Sequence, residues 1–340
     1  MSIFGDEHNA VRGHYRQTLS KAESCCDLQY FSNYILLLQM RIVFLGTPDF
    51  AVASLVAIKE AGYNIVGVVT APDKPAGRGM QLQQSPVKKY AVEHHLKVLQ
   101  PVKLKDPVFL EELKNLNADL QVVIAFRMLP EVVWTMPPKG TINLHASLLP
   151  DYRGAAPINW AIINGETKTG VCTFFLKHEI DTGDIVLKEA LPIDEEMNVG
   201  ELHDQLMLLG SKVILSSLKI IEAGKIKGIP QGKSSNKMAP KIFKSDCFIH
   251  WNQSGKNIYN RIRGLSPHPA AYMDLDGKNL KIFKAQFEPA KHGDNLGSIH
   301  SDHKTFLKIA CTDGYLHLLD VQMESKKRMK IEEFLRGYQP

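Results

Sequence analysis

The sequence predicts an α/β protein: a Rossmann-type, doubly wound, parallel sheet joined to a second, smaller β-rich barrel domain. Three observations predict it. Short apolar runs rich in Val and Ile alternate with helical stretches from Arg41 to about Ala223, the pattern of βαβ units with strands buried on both faces. A stretch from Gly224 to Lys244 holds six lysines and no acid among Pro, Gly and Ser, which reads as a linker. Beyond it, short β-prone runs are divided by Asp-Gly and Gly turns.

Residues 1–39 stand apart. They mix Asp6, Glu7, Glu23 and Asp27 with Arg12, Arg16 and Lys21, unlike an organellar transit peptide. The apolar run Tyr34 to Leu38 is shorter than the roughly 7–15 residues of a secretion signal. Met40 opens directly onto "RIVFL", so Met40 is expected to be the natural start and 1–39 a non-native or disordered extension. "RIVFLG" then reads as a buried strand, and Pro48 to Ala61 as an amphipathic helix stopped by Gly62. "NIVGVVT" is a second strand; Pro86 to His95 and Asp106 to Leu116 are helices; "DLQVVIAF" and "GTINLH" are further strands. A long helix, Val199 to Ala223, closes a domain spanning 40–224. A basic linker, 225–245, leads to the β-rich domain, 246–335, with strands in "HPAAYMDLDG", "KNLKIFKAQFE", "TFLKIACTDG" and "YLHLLDVQ".

A composition of 44% hydrophobic and 23% charged residues is that of a soluble globular chain. No apolar run approaches the roughly 20 residues of a membrane helix. The five cysteines (Cys25, Cys26, Cys172, Cys247, Cys311) form no C-x-x-C pair or zinc spacing. A reduced, cytoplasmic protein without a structural metal is expected. The net charge of +5 is concentrated in the C-terminal third, which fits either a polyanionic partner or a solvated lysine-rich surface.

The first loop, "FLGTPDF", has Gly46 alone. Without a G-x-G-x-x-G a pyrophosphate cannot approach the helix start, which argues against a nicotinamide dehydrogenase. A P-loop is missing too, which removes nucleotide hydrolysis. Chemistry gathers instead in "GTINLHASLLPDYRGAAP". Asn143 and His145 are two apart, so a strand points both one way, at the carboxyl end where α/β sites form. An amide donates to a developing oxyanion, and an imidazole moves protons near neutral pH; the alternative is a satisfied structural pair. The stiff loop that follows, with Pro150, Gly154 and Pro157, can preorganise a wall, and Arg153 can bind an anion. In "KHEIDTGDIV" Asp181 is either an Asx-turn residue or the carboxylate that orients His145, with Glu179 and Asp184 as competitors. The loop "TAPDKPAGRGMQLQQSPVK" exceeds the roughly 2–6 residues usual for such a connection. It carries Lys74, Arg78, Lys88 and Lys89 against one acid, Asp73, which points to phosphate.

Together, "RIVFLGTPDFA", "VVTAPDKPAGRGM", "SPVK", "NLHASLLPDYRGAAPINWAI" and "IDTGDI" closely resemble the methionyl-tRNA formyltransferases, a family within the 10-formyltetrahydrofolate-dependent formyltransferases. The resemblance covers nearly everything after Met40. "NLHASLLPDYRGAAP" marks the wider group, and "PDKPAGRG" resembles the loop this family sets against tRNA. The resemblance implies formyl transfer from 10-formyltetrahydrofolate to the α-amino group of methionyl initiator tRNA, with no metal. Asn143, His145 and Asp181 fall on the family's catalytic trio, which stabilises a tetrahedral oxyanion and moves the amine's proton. Ala125, Phe126, Ser147, Leu148, Leu149, Pro150 and Ile180 are expected at the folate, and Lys74, Arg78, Lys88, Lys237 and Lys241 at tRNA. Arg127 and Glu179 depart from the glycine-containing forms more usual beside the pterin. The C-terminal domain is expected to be OB-like and to bind tRNA, and the protein to be a monomer. The nearest alternative keeps the chemistry and changes the acceptor to an amino sugar nucleotide or another small amine. A formyl-folate hydrolase or dehydrogenase part, or a non-catalytic nucleic-acid-binding module, fits less of the sequence.

Overall fold

The computed structural model describes residues 40–76, 81–224 and 228–338; the extension 1–39, Arg78 and the start of the linker lie outside them. The first domain is built on a seven-stranded sheet. Its parallel strands are β1 (Arg41–Gly46), β2 (Asn64–Val69), β5 (Val98–Leu99), β6 (Leu120–Ile124) and β7 (Thr141–His145). Two longer strands, β9 (Lys168–Phe175) and β10 (Ile185–Pro192), extend the sheet antiparallel beyond β7. The order is β10-β9-β7-β6-β1-β2-β5, with β1 and β6 parallel and the succession of strands changing sides of the sheet between them. A short hairpin, β3 (Lys74–Ala76) with β4 (Gln81–Gln83), rises from the basic loop.

Strand periodicity assigns the two faces. Ile42, Phe44, Val122, Ile124, Ile142 and Leu144 pack under helices α1 (Asp49–Glu60), α2 (Pro86–Glu93) and the long α6 (Val199–Glu222). Val43, Leu45, Val69 and Val123 face α3 (Pro107–Asn115) and α4 (Glu131–Trp134). Helices on both faces make the sheet doubly wound, as the apolar runs predict. Sequence signals also fix helix starts. Ser85 caps α2 ahead of Pro86, Asp106 caps α3 ahead of Pro107, and Asn198 with Glu201 forms a capping box on α6. Gly46 is small for a packing reason. A Cβ there would lie 2.7 Å from the Ala51 methyl and 2.8 Å from the Phe44 ring, so the turn is filled by protein where a dinucleotide fold keeps room for phosphate.

The loop after β7 forms a two-residue strand β8 (Arg153–Gly154) and enters α5 (Pro157–Ile163). The segment read as a free linker is not one along its described length. Its strand β11 (Met238–Ala239) pairs parallel with β8.

The C-terminal domain is antiparallel: β12 (Ala271–Leu275), β13 (Lys278–Pro289), β14 (Ile299–Ser301), β15 (Leu307–Cys311), β16 (Gly314–Met323) and β17 (Met329–Lys330). The Asp276-Gly277 turn joins β12 to β13 with both residues at positive φ, the hairpin chemistry visible in the sequence. The strand order is β12-β13-β16-β15-β14, with β17 paired to β16. Helix α7 (Gly255–Leu265), not anticipated from the sequence, packs into this domain's core through Ile258, Ile262 and Leu265. A short α8 (Ile331–Leu335) joins the same core.

The domains meet where α5 crosses α7. A Cβ on Gly264 would sit 2.6 Å from Ile163 Cγ1, and Asn159 Nδ2 donates to the Gly264 carbonyl at 2.8 Å. Buried Arg263 donates to the carbonyls of Met197 at 3.0 Å and Asp194 at 3.3 Å, across the seam. Among the described residues no helix is long and apolar enough to cross a membrane.

Candidate active site

Strand β7 sends Ile142 and Leu144 into the core beneath α6, which leaves Asn143 and His145 on the opposite side at the strand's carboxyl end. Both line a cavity of about 760 Å³, and so does Asp181 from the turn between β9 and β10. His145 is buried and its Nε2 lies 2.8 Å from the Tyr152 carbonyl. A carbonyl only accepts, so Nε2 carries the proton. Nδ1 is then the ring atom turned to Asp181, 3.8 Å from its Oδ2. That oxygen also accepts from the Gly154 amide at 3.0 Å. The two alternative acids are placed elsewhere in function: Asp184 pairs with Lys177 at 2.9 Å, and Glu179 stands exposed on the rim. Asn143 makes no side-chain hydrogen bond to a described residue, so its amide is free to meet a substrate.

The backbone around the cavity is strained in a patterned way. Ala125, Tyr152 and Asp181, all non-glycine, have φ of 47°, 60° and 54°. Each left-handed residue costs about 1–3 kcal/mol, and such residues cluster where geometry is imposed for function. Tyr152 is fixed at its far end too: its hydroxyl donates to Glu166 Oε1 at 2.6 Å. Burial and then Glu166 push its pKa well above the ordinary phenol range. Cys172, paired in register with His145, is no nucleophile, since burial pushes its thiol up to about 11.

Of the residues expected at the folate, Ala125, Phe126 and Ile180 line the cavity beside Val123, Leu129 and Trp134. Ser147, Leu148, Leu149 and Pro150 are not among its lining residues. The loop turns inward after Ala146: Ser147 Oγ donates to the Asp151 carbonyl at 2.7 Å, and Leu149 packs with Cys172, Phe174 and Ile185. Ser147 and Leu149 thus brace the loop that follows β7. Arg127 borders the cavity, and its guanidinium donates to the carbonyls of Pro101 and Val102. Pro48, Phe50 and His203 line the cavity from the β1 loop and α6; only the proximity of "GTPDF" to a strand end could have signalled the first two.

The cations expected at tRNA separate into two kinds. Lys74 is exposed on β3, and Lys241 is exposed with its Nζ 5.3 Å from the centre of the Phe243 ring. Lys88 is half-buried on Asp73 at 2.5 Å, and Lys237 holds Glu166 at 2.5 Å. Both are committed to intramolecular partners. Arg78 lies outside the described residues.

Comparison with known proteins bears on what this cavity serves. Residues 40–218 match the family model described as "Formyl transferase", and residues 241–339 match "Formyl transferase, C-terminal domain". The methionyl-tRNA formyltransferase of Parabacteroides distasonis is 56% identical over 88% of this chain and 96% of its own length. The Flavobacterium johnsoniae protein of that name is 52% identical over 88% of this chain and 96% of its own. The chain belongs to the methionyl-tRNA formyltransferase family. Among solved structures, an N-formyltransferase from Helicobacter canadensis in complex with folinic acid and dTDP-3-aminofucose superposes with a TM-score of 0.63. It is 20% identical, with 86% of this chain and 100% of that chain covered. HypX from Aquifex aeolicus in complex with tetrahydrofolic acid gives a TM-score of 0.60 at 19% identity, covering 87% of this chain and 47% of that one. At these identities the two structures show a shared fold.

Proposed function

We propose that the protein transfers the formyl group of 10-formyltetrahydrofolate to the α-amino group of methionyl initiator tRNA, for translation initiation. The observation that carries this reading is an amide, an imidazole and a carboxylate converging on one cavity, in a chain 56% identical to a relative of that name.

The cavity suits the formyl donor. Its volume of about 760 Å³ lies within the roughly 300–1,000 Å³ of ordinary ligand pockets. Val123, Phe126, Leu129 and Trp134 give it an apolar wall for a flat ring, and Ala125 and Ile180 border the same wall. The folate supplies the one-carbon unit. The protein's side chains do the rest. Asn143 donates its amide to the formyl oxygen, where negative charge gathers as the amine attacks. His145, with Nε2 held by Tyr152, presents Nδ1 to the reacting centre and Asp181. Nδ1 stands 3.8 Å from Asp181 Oδ2 and, once it has taken up a proton, donates to the formyl oxygen. The amine's surplus proton passes to the unprotonated Nδ1 or to Asp181. As the tetrahedral centre collapses, the bond between the formyl carbon and the folate N10 breaks and that proton is delivered to N10, releasing tetrahydrofolate. The Gly154 amide keeps Asp181 aimed at the ring throughout.

The acceptor reaches the site past Lys74 and Lys241, with Arg78 and the basic C-terminal domain supplying further charge for the tRNA. Lys88 and Lys237, both paired internally, shape this surface more than they bind it. The protein works in the cytoplasm as a monomer on this reading.

Formyl transfer to methionyl initiator tRNA, methionyl elongator tRNA and an amino sugar nucleotide, measured in parallel, tests the proposal. Product on the initiator tRNA alone is expected. Product only on the sugar nucleotide would keep the site and replace the acceptor.

A further inference from the structure

Gln231 lies in the segment between the two domains, far in sequence from Asn143, His145 and Asp181. Its side-chain amide has two donors and two acceptor positions, and all four are used. Oε1 accepts from Arg153 Nε at 3.1 Å and Nη2 at 2.6 Å. Nε2 donates to the carbonyls of Asp181 and Gly183, each at 2.8 Å. The partners fix the orientation: a guanidinium requires the oxygen and two carbonyls require the NH₂, so a flipped amide would lose all four bonds.

These bonds reach the two segments that place the Asp181 carboxylate, one through its backbone carbonyls and the other through the Arg153 side chain. One is the Asp181–Gly183 turn, held left-handed at Asp181 and pressed so closely on β9 that a Cβ at Gly183 would lie 1.5 Å from the Phe175 carbonyl. The other is β8, whose Gly154 amide binds Asp181 Oδ2 at 3.0 Å. Further along the same segment, the Lys237 carbonyl accepts from the Tyr152 amide at 2.7 Å, and the Tyr152 carbonyl receives His145 Nε2. The inter-domain segment thus grips the supports of both the carboxylate and the imidazole.

We propose that Gln231 is a positioning residue for Asp181, which makes the inter-domain segment part of the catalytic apparatus. The proposal rests on the reading of Asp181 as catalytic. A misplacement of about 1 Å costs on the order of 10²-fold in rate, and Gln231 touches no reacting atom, so its loss should appear in kcat rather than in substrate binding.

The test uses the full-length enzyme in formyl transfer to methionyl initiator tRNA, with thermal melting to establish folding. Gln231→Met keeps the length and removes every hydrogen bond. Gln231→Glu keeps the acceptor towards Arg153 and sets an oxygen against the two carbonyls, so it serves if the Met variant folds poorly. Asp181→Asn runs alongside. The expected result is a fall in kcat of about 10- to 100-fold in both Gln231 variants, with KM for folate and tRNA within about threefold of wild type. A kcat within twofold of wild type in a folded Gln231 variant, or a loss confined to KM, would overturn the proposal. If Asp181→Asn loses activity while the Gln231 variants do not, the positioning role alone falls. If Asp181→Asn keeps full kcat, the role of Asp181 and the proposal fall together.

Discussion

Replacing Gly154 by alanine strikes the candidate site at one methyl group. Gly154 has φ +124°, and a Cβ built on it would stand 2.5 Å from the Ala239 carbonyl oxygen, against 3.4 Å for ordinary contact. The obstacle is backbone, and the same carbonyl accepts from the Ala156 amide at 3.1 Å, so it cannot swing aside without breaking that bond. Strain at φ +124° costs about 1–3 kcal/mol, and opening the β8–β11 pair adds an overpacking cost of about 1–3 kcal/mol. Together they predict destabilisation of roughly 2–6 kcal/mol, far above the roughly ±0.5 kcal/mol of an ordinary surface substitution. Because the Gly154 amide also anchors Asp181, kcat should fall alongside stability, by on the order of 10²-fold for a shift near 1 Å. Urea unfolding gives the first quantity and formyl transfer at saturating substrates the second. An unfolding midpoint and a kcat both equal to wild type would refute the reasoning, since the close contact and the anchor would then be immaterial.

Asn143→Ala removes the amide proposed to meet the formyl oxygen and should lower kcat by about 10²–10³-fold, with folate affinity by equilibrium titration unchanged. His145→Ala should cost about 10²–10⁴-fold in kcat; near-wild-type turnover in either variant would end its assignment. Arg78→Ala should weaken use of tRNA and flatten the salt dependence of its KM, because each lost phosphate contact releases one counterion fewer. Cys172, buried and with its thiol pushed up to about 11, stays protonated at pH 8; peptide mapping after iodoacetamide treatment of the native protein should find it unlabelled.

Much of this architecture is legible in the sequence because its causes are local. A parallel strand buried on both faces must be an unbroken apolar run, and "RIVFL" and "DLQVVI" became β1 and β6. Asn143 and His145 share a face by strand geometry alone. What stayed hidden depends on where distant chain returns. The sequence shows six lysines between Gly224 and Lys244 and reads as solvated linker. It does not show that Glu166 waits for Lys237, or that Arg153 and the Asp181 turn wait for Gln231. The loop after His145 is ambiguous in the sequence for a related reason. Its apolar residues fit a pocket wall or an inner support equally well, and burial among Cys172, Phe174 and Ile185 sent Leu149 inward. Helix α7 was missed because it is short and carries Gly264, a poor helix former that the crossing with α5 requires.

That crossing limits how the molecule can be recombined. Gly264 admits Ile163 because it has no side chain, Asn159 needs the carbonyl beneath it, and Arg263 finds its acceptors on the first domain. A chimaera that grafts another relative's C-terminal domain onto this catalytic half would carry its own residues to all three contacts. Unless the graft brings the same small residue, exposed carbonyl and arginine, the halves would meet as strangers, and exchanging acceptor preference by exchanging domains would require the seam to be moved along with them.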